Sequence, residues 1–183
     1  MAAITISGVV VERLKLDQLQ LQTAGTAHRV DNNVFIGGYL VAADAGFIKE
    51  NAITRVVKLF ADDSTYYGGD ARLPGVNYLV LPIVDAVDED IKTAAVAAVR
   101  FIQEGLLHNE IILVHCHAGV SRSATVVLLY LMVVRRCSLQ NALALLRSIR
   151  SVVNPNPGFM AFLRATDARI KTLRERVRPP KAP

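Results

Sequence analysis

One short stretch of the sequence, HCHAGVSRS, holds residue types that together can handle a phosphate ester. It contains Cys116 and, six residues later, Arg122, with Gly119 between them. A thiol becomes a strong nucleophile once it ionises, and a nearby guanidinium and a helix N-terminus favour the ionised form. A guanidinium also binds two phosphate oxygens in a fork, which the point charge of a lysine does not reproduce. The spacing therefore predicts a thiolate nucleophile beside an arginine-lined phosphate site.

The segments on either side of this stretch predict where it stands in the fold. Residues 111–114 are wholly apolar, as in a strand buried on both faces of a parallel sheet, and residues 123–136 form an apolar helical pattern. Ligands bind at such strand ends, and backbone N–H groups that lead into a helix attract anions. Ser123, at the start of the helix, offers a hydroxyl to the thiolate or to a later water. The residues predicted to bind phosphate are His117, Ala118, Gly119, Val120, Ser121 and Arg122.

A second catalytic group is needed, because cleavage of a phosphoester leaves an oxyanion that an acid must protonate. Asp85 follows a predicted strand, residues 78–81, and precedes a predicted helix, so its loop lies on the same sheet edge as Cys116. The same residue then serves as a base in the second step. Three further carboxylates follow it, and capping of the helix N-terminus is the favoured interpretation for the first two: Asp88, Glu89 and Asp90.

These residues resemble the dual-specificity branch of the protein tyrosine phosphatases, over roughly residues 29–165. HCHAGVSRS is similar to the family's signature loop, residues 34–37 to its opening strand and glycine, and residues 156–160 to the stretch after its signature helices. The resemblance implies a central, mostly parallel sheet flanked by helices. It also implies attack by Cys116, a cysteinyl-phosphate intermediate, hydrolysis by water and no metal or other cofactor. Asp85 matches the position of the family's general acid.

Four other residues bear on the site. We expect His115 to orient the loop through hydrogen bonds rather than to transfer protons. Asn156 either buttresses the loop, as the resemblance implies, or shapes a turn. Cys137 is expected to be a core residue, with a resolving thiol for oxidised Cys116 as the alternative. Lys58 departs from the family, which commonly has Asn there, and it is expected to add positive potential.

The remaining pattern predicts one α/β domain in which strands alternate with helices. We expect a catalytic domain over residues 29–176, preceded by an extension, residues 1–28, that packs on it, and followed by a disordered basic tail, residues 177–183. The predicted strands are residues 34–36, 55–59, 78–81 and 111–114, with a loop over 61–75. The predicted helices are residues 44–51, 88–107, 123–136, 138–149 and 159–176, with Ser138 as an N-cap.

The composition bounds the setting in which this chemistry operates. A chain of 183 residues with 52% hydrophobic residues has room for one domain with a sizeable core. Its two cysteines form no disulfide framework, and no secretory signal or membrane span is recognised, so we expect a cytoplasmic or nuclear location. The net charge of +5 is concentrated in the chain from Lys171 onward. No aromatic residues interleave there, so no nucleic-acid partner is expected.

Three substrate classes compete at this stage, and the sequence leaves the oligomeric state open. The first is a phosphoprotein carrying phosphotyrosine and phosphoserine or phosphothreonine. The second is a phosphoinositide or an RNA 5′-phosphate, although the signature loop holds no Lys to add charge for an inositol polyphosphate. The third is a non-catalytic phosphate-binding module, which is disfavoured because Cys116 and Arg122 are both present.

Overall fold

A single sheet carries the fold of the described residues, 22–60 and 72–177, in the computed structural model. Its strands are β1 Ala27–Arg29, β2 Val34–Gly37, β3 Ile53–Lys58, β4 Asn77–Val80 and β5 Ile111–His115. They lie in the order β1-β2-β5-β3-β4. β1 pairs with β2 in the antiparallel sense, and every other pairing is parallel. The mostly parallel sheet that the sequence predicts is therefore confirmed.

Helices cover both faces of this sheet. They are α1 Tyr39–Ala42, α2 Ala45–Glu50, α3 Lys92–Leu107, α4 Arg122–Val133, α5 Leu139–Ile149 and α6 Pro157–Val177. The larger core lies between the sheet and α3 to α6, and a smaller core lies on the opposite face, against α2. Neighbouring apolar residues of β3 and β5 alternate between the two cores, which explains why residues 111–114 of β5 are apolar without interruption.

Helix α4 stands at the centre of the larger core. Every residue from Ser123 to Met132 is buried. The helix packs against α3, α5, α6 and the strand β5 that precedes it. A helix that is apolar on all sides is stable only when it is surrounded, so α4 gives the loop before it a rigid support. Among the described residues, no helix is both long and apolar enough to cross a bilayer.

The start of α3 differs from the prediction. The helix begins at Lys92, and its first turn contains no acidic residue. Capping by Asp88 and Glu89 is therefore wrong, because both precede the helix. Ile91 is 1% exposed, and its insertion into the core fixes the chain in an irregular conformation up to that residue. The third carboxylate, Asp90, accepts a hydrogen bond from the Lys92 backbone N–H at 3.0 Å.

Other predicted elements are found with small shifts at their ends. The N-cap at Ser138 is confirmed, since its hydroxyl accepts from the Asn141 N–H at 3.3 Å. Of the predicted extension, residues 22–28 are described: Ala24 is buried, and β1 begins at Ala27 and pairs with β2. Predictions for residues 1–21, for most of the 61–75 loop and for the tail beyond Val177 lie outside the described residues.

Candidate active site

The predicted signature stretch lies in the middle of the sheet, at the carboxyl end of β5. Cys116 follows the strand directly, is 2% exposed, and stands beside a cleft of about 580 Å³. We call residues 116–122 the phosphate loop. The residues that line the cleft are Thr23, Asp85, Cys116, His117, Ala118, Val120, Ser121, Arg122, Val152 and Asn154.

Four consecutive carbonyl groups of the phosphate loop are each held by a donor outside the loop. His117 O accepts from Tyr39 N (2.9 Å), Ala118 O from Arg150 Nη2 (2.7 Å), Gly119 O from Arg150 Nε (2.9 Å), and Val120 O from Asn154 N (2.9 Å).

Because the four carbonyl groups are held by hydrogen bonds, the direction of the N–H groups that follow them is also fixed. No peptide bond among the described residues is cis, and a trans peptide sets its C=O and the following N–H on opposite sides. The N–H groups of residues 118–121 are therefore turned away from those external donors. Gly119 has a φ of +68°, and a Cβ there would come within 2.7 Å of the Gly37 carbonyl oxygen. The loop thus has the form of a backbone anion cradle, and Gly119 is required for it.

The nucleophile candidate has one close polar partner. Cys116 Sγ lies 3.2 Å from the hydroxyl of Ser123, in the first turn of α4. Ser123 is fully buried, so its hydroxyl stays in reach of the sulfur. A hydroxyl in this position can donate a hydrogen bond to the sulfur of Cys116 when that sulfur is a thiolate, including when it acts as a leaving group.

Arg122 is anchored by backbone oxygens and keeps donor capacity for a ligand. Its Nη1 donates to Leu59 O and to Ile83 O, both at 3.1 Å. Its Nε has no hydrogen-bond partner among the described residues and lies 3.9 Å from Asp85 Oδ2. A guanidinium held on one side in this way presents its other donors in a fixed orientation, as binding of phosphate requires.

Asp85 is brought to the phosphate loop by two hydrogen bonds to a single oxygen. Its Oδ1 accepts from Ser121 Oγ at 2.7 Å and from Asn156 Nδ2 at 2.9 Å. The backbone N–H of Asn156 also donates to Ser121 Oγ at 3.1 Å, so the three side chains form one network. We call residues 82–91 the acid loop. Asn156 Nδ2 binds this loop a second time, at Ala86 O, 3.1 Å away.

The two histidines of the signature have different surroundings. His115 ends β5, is buried, and meets the ring of Phe60 edge-on, with centroids 5.5 Å apart. His117 is half-buried and stacks on the ring of Tyr39, with centroids 5.0 Å apart and planes 28° apart. Burial, with the charge of Arg122, lowers the pKa of His117 below its usual range. His117 is therefore a neutral, aromatic part of the cradle wall.

Two further residues raised questions in the sequence. Lys58 ends β3, in register with His115, and its Nζ lies 4.9 Å above the ring of Phe60. Cys137 packs partly against the larger core beyond the C-terminal end of α4. Since α4 rises about 1.5 Å per residue, its length separates Cys137 from Cys116 far beyond disulfide reach. Cys137 is therefore a partly buried residue at the margin of the larger core, out of disulfide reach of Cys116.

Sequence reasoning missed Arg150, which supplies two of the four external donors. The residue ends an amphipathic helix beside another arginine, Arg147, and nothing in the pattern marks one as buried and the other as exposed. Tyr39 and Asn154 were missed for a related reason, since each contributes its backbone N–H. The side chain reveals nothing about such a role.

Comparisons with known proteins agree with this geometry. The family model described as "Dual specificity phosphatase, catalytic domain" matches residues 34–169. Human dual specificity protein phosphatase 22 is 36% identical over 126 residues, which cover 69% of this chain and 65% of that protein. Dual specificity protein phosphatase Mpk3 of Drosophila melanogaster is 34% identical over 140 residues, 75% of this chain and 33% of that protein. This chain thus spans less than two thirds of either relative.

Two solved structures are similar over most of the described fold. The crystal structure of human DUSP28 has a TM-score of 0.71 and 28% identity, covering 79% of this chain and 95% of that one. The human tyrosine phosphatase-like serine/threonine/tyrosine-interacting protein has a TM-score of 0.73 and 26% identity, covering 79% of this chain and 97% of that one.

Proposed function

Because this chain belongs to the dual specificity phosphatase catalytic domain family, we propose that it hydrolyses phosphate monoesters of tyrosine, serine and threonine in proteins. The observation that carries the proposal is the set of four outward-held carbonyls directly after Cys116. They leave a ring of N–H groups for a phosphate at the nucleophile itself, and a merely structural cysteine has no use for such a ring.

In the first step, Cys116 Sγ attacks phosphorus while the bond from phosphorus to the ester oxygen breaks. The phosphate-loop N–H groups and the Arg122 guanidinium stabilise the charge on the transferring group. Asp85 gives a proton to the departing oxygen, so the product leaves as an alcohol or phenol. This step makes a cysteinyl-phosphate and leaves Asp85 as a carboxylate.

In the second step, water attacks the cysteinyl-phosphate and the sulfur–phosphorus bond breaks. Asp85 takes the proton from the water, and inorganic phosphate forms. The sulfur leaves as a thiolate, and the Ser123 hydroxyl, 3.2 Å away, donates to it as its charge returns. Arg122 and Asp85 thus end the cycle in the states in which they began it.

The chemistry of the site supports two further parts of the proposal, a protein substrate and a cellular location. The carboxylate of Asp85 at the cleft rim is 36% exposed, so it is within reach of a side chain presented from the surface of another protein. A thiolate nucleophile operates only where it stays reduced, which supports a cytoplasmic or nuclear location. We keep the phosphoinositide, RNA 5′-phosphate and non-catalytic alternatives as outcomes of the test below.

The test is site-resolved phosphate release from one peptide that carries both phosphotyrosine and phosphothreonine, without added metal. We expect wild type to release both phosphates. Cys116→Ser should release neither, yet still bind the peptide, because the hydroxyl is a far poorer nucleophile while the cradle remains.

Three results would contradict this proposal. Turnover by Cys116→Ser would exclude the covalent mechanism. A wild-type protein could release neither phosphate yet still cleave an activated aryl phosphate. That result would keep the thiolate mechanism and indicate that the substrate is a phosphoinositide or an RNA 5′-phosphate. A wild type that binds phosphopeptide and cleaves nothing would indicate a binding module.

A further inference from the structure

Arg150 is a buried cation for which the mechanism above has no role. It caps the C-terminal end of α5 and is 2% exposed. No ion pair to Arg150 is formed by any residue in the described ranges. Its guanidinium donates instead to six neutral atoms: Ala118 O, Gly119 O, Thr23 O, Thr26 O, Thr26 Oγ1 and His28 Nδ1.

A buried charge with only neutral partners is electrically uncompensated. Burial lowers the pKa of Arg150, while the sulfur of Cys116 acts in the opposite direction and favours the charged form. A guanidinium nevertheless stays protonated in proteins. Its positive charge therefore acts, in a poorly solvated place, on whatever negative charge the phosphate loop carries. Those charges are the thiolate and the bound phosphate.

The six hydrogen bonds divide between two parts of the chain. One edge of the guanidinium holds the phosphate loop, and the other holds residues 22–28, which we call the amino-terminal segment. A guanidinium has only donors, so His28 accepts through Nδ1 and is neutral. Burial and Arg150 both lower the pKa of His28, in agreement with that state. The shape of the loop is thereby tied to a segment far from it in sequence.

We propose that Arg150 is a positioning residue of the active site, which fixes the phosphate loop against the amino-terminal segment and adds a second positive charge behind it. This role of Arg150 depends on the proposed phosphatase function in one respect only, that Cys116 and the phosphate loop form the phosphate site. Arg150 acts through the Ala118 and Gly119 carbonyls. With these turned outward, the N–H groups that follow them face the phosphate.

The test compares Arg150→Gln and Arg150→Lys with wild type, using inorganic phosphate as the probe. We expect Arg150→Gln to weaken phosphate binding at least about tenfold, since it removes several charge-assisted hydrogen bonds and the charge. Arg150→Lys keeps the charge but not the forked set of donors, and its affinity for phosphate should fall about three- to tenfold. Arg147→Gln is the matched control, because Arg147 is exposed, lies one turn before Arg150, and donates through Nε to Val153 O rather than to the phosphate loop. It should bind phosphate as wild type does.

A second readout separates a role in the site from a role in folding. Cys116 reacts with anionic iodoacetate and with neutral iodoacetamide, and the ratio of the two rates reports the potential at the loop. Arg150→Gln should lower this ratio by about threefold or more, whereas general loosening of the fold would raise both rates. A folded Arg150→Gln with phosphate affinity within about twofold of wild type and an unchanged ratio overturns the proposal.

Wild type alone also decides the question if the variants do not fold. The Arg150 Nε–H should be protected from solvent exchange in ¹⁵N NMR and should shift when inorganic phosphate is added. A resonance that stays unmoved at saturating phosphate overturns the proposal. A wild type that binds phosphate as expected but cleaves no phosphopeptide counts against the proposed function alone.

Discussion

At the scale of single residues, the decisive feature is how Asp85 is held. Ser121 and Asn156 both donate to its Oδ1. The other oxygen, Oδ2, lies 3.9 Å from Arg122 Nε. Oδ1 therefore anchors the side chain, and we propose that Oδ2 carries the proton that the leaving group needs.

Asp85→Asn tests this division, since it keeps the size of the side chain but cannot transfer the proton. We expect hydrolysis of an alkyl phosphate to fall about 100-fold or more, because general acid catalysis contributes on that order. The rate of hydrolysis of an activated aryl phosphate, whose leaving group needs no proton, should fall less than about tenfold. Initial rates on both substrates measure the effect, and Asp88→Asn, an exposed carboxylate in the same acid loop, is the control. Equal losses on both substrates would remove Asp85 from the acid role.

At the scale of elements, the acid loop is fixed by the start of α6. Gly158, in the first turn of this helix, lies against the acid loop so closely that a Cβ would stand 1.8 Å from Val87 O. Asn156 binds the same loop from the residue before the helix. The loop that carries Asp85, the proposed general acid, is therefore held in place by contacts with the start of α6.

Gly158→Ala should push the acid loop away from the phosphate loop. We expect a loss of about 1–3 kcal/mol in the free energy of unfolding, typical of overpacking. The rate on poor leaving groups should fall more than the rate on activated ones. Gly46→Ala is a close match, because Gly46 is also the second residue of its helix, and an added Cβ meets only the Asp44 side chain, at 3.1 Å.

Chemical denaturation and the two-substrate comparison measure these effects together. Gly46→Ala should keep wild-type kinetics, and its stability should change by less than about 1 kcal/mol, since the better helix propensity of alanine opposes the close contact with the Asp44 cap. A Gly158→Ala protein with unchanged leaving-group dependence would show that the acid loop does not need this contact.

At the scale of the whole molecule, folding keeps two imidazoles neutral. Burial is the first cause of the lowered pKa of both His28 and His117, and the second cause is a neighbouring arginine: Arg150 for His28, Arg122 for His117. In the unfolded chain both take up protons as the pH falls through about 6.5. In that window the unfolded state binds more protons than the folded state, so stability decreases as the pH falls.

Thermal unfolding measured from about pH 8 to about pH 5 should therefore show a Tm that falls on the acid side of about pH 6.5. His117→Gln should flatten this dependence, and His108→Gln, at an exposed position, should leave it as in wild type. The buffer must be free of phosphate, since ligand binding stabilises the folded state by itself. A Tm that rises on acidification would contradict the neutral state of both imidazoles.

The sheet and the positions of the predicted site residues could be predicted because their signals are local. The apolar run of β5, the glycine and the apolar helix α4 follow one another in sequence, so Cys116, Arg122 and Ser123 could be assigned from spacing. The start of α3 could not, because burial of Ile91 overrides the capping preference of the acidic residues before it. Likewise β1 has no apolar pattern, and its strand conformation depends on pairing with β2.

The support of the phosphate loop could not be predicted, because it comes from segments distant in sequence. Arg150 binds the loop from 31 and 32 residues away and the amino-terminal segment from more than 120. A single sequence does not record which arginine reaches such partners. The sequence left two roles open for Asn156, buttressing the phosphate loop or shaping a turn, and the structure adds its direct bond to Asp85.

The long reach of Arg150 also affects when the site comes into existence. Its bond to Thr23 O closes a separation of 127 residues, so this contact joins an early part of the chain to a late one. During synthesis the strands leave the ribosome before Arg150 does. The loop around Cys116 therefore lacks the hydrogen bonds from Arg150 until that residue has also emerged. A nascent chain that ends before this point holds the nucleophile without its support. The phosphate loop therefore reaches its supported form only after Arg150 has been added to the chain.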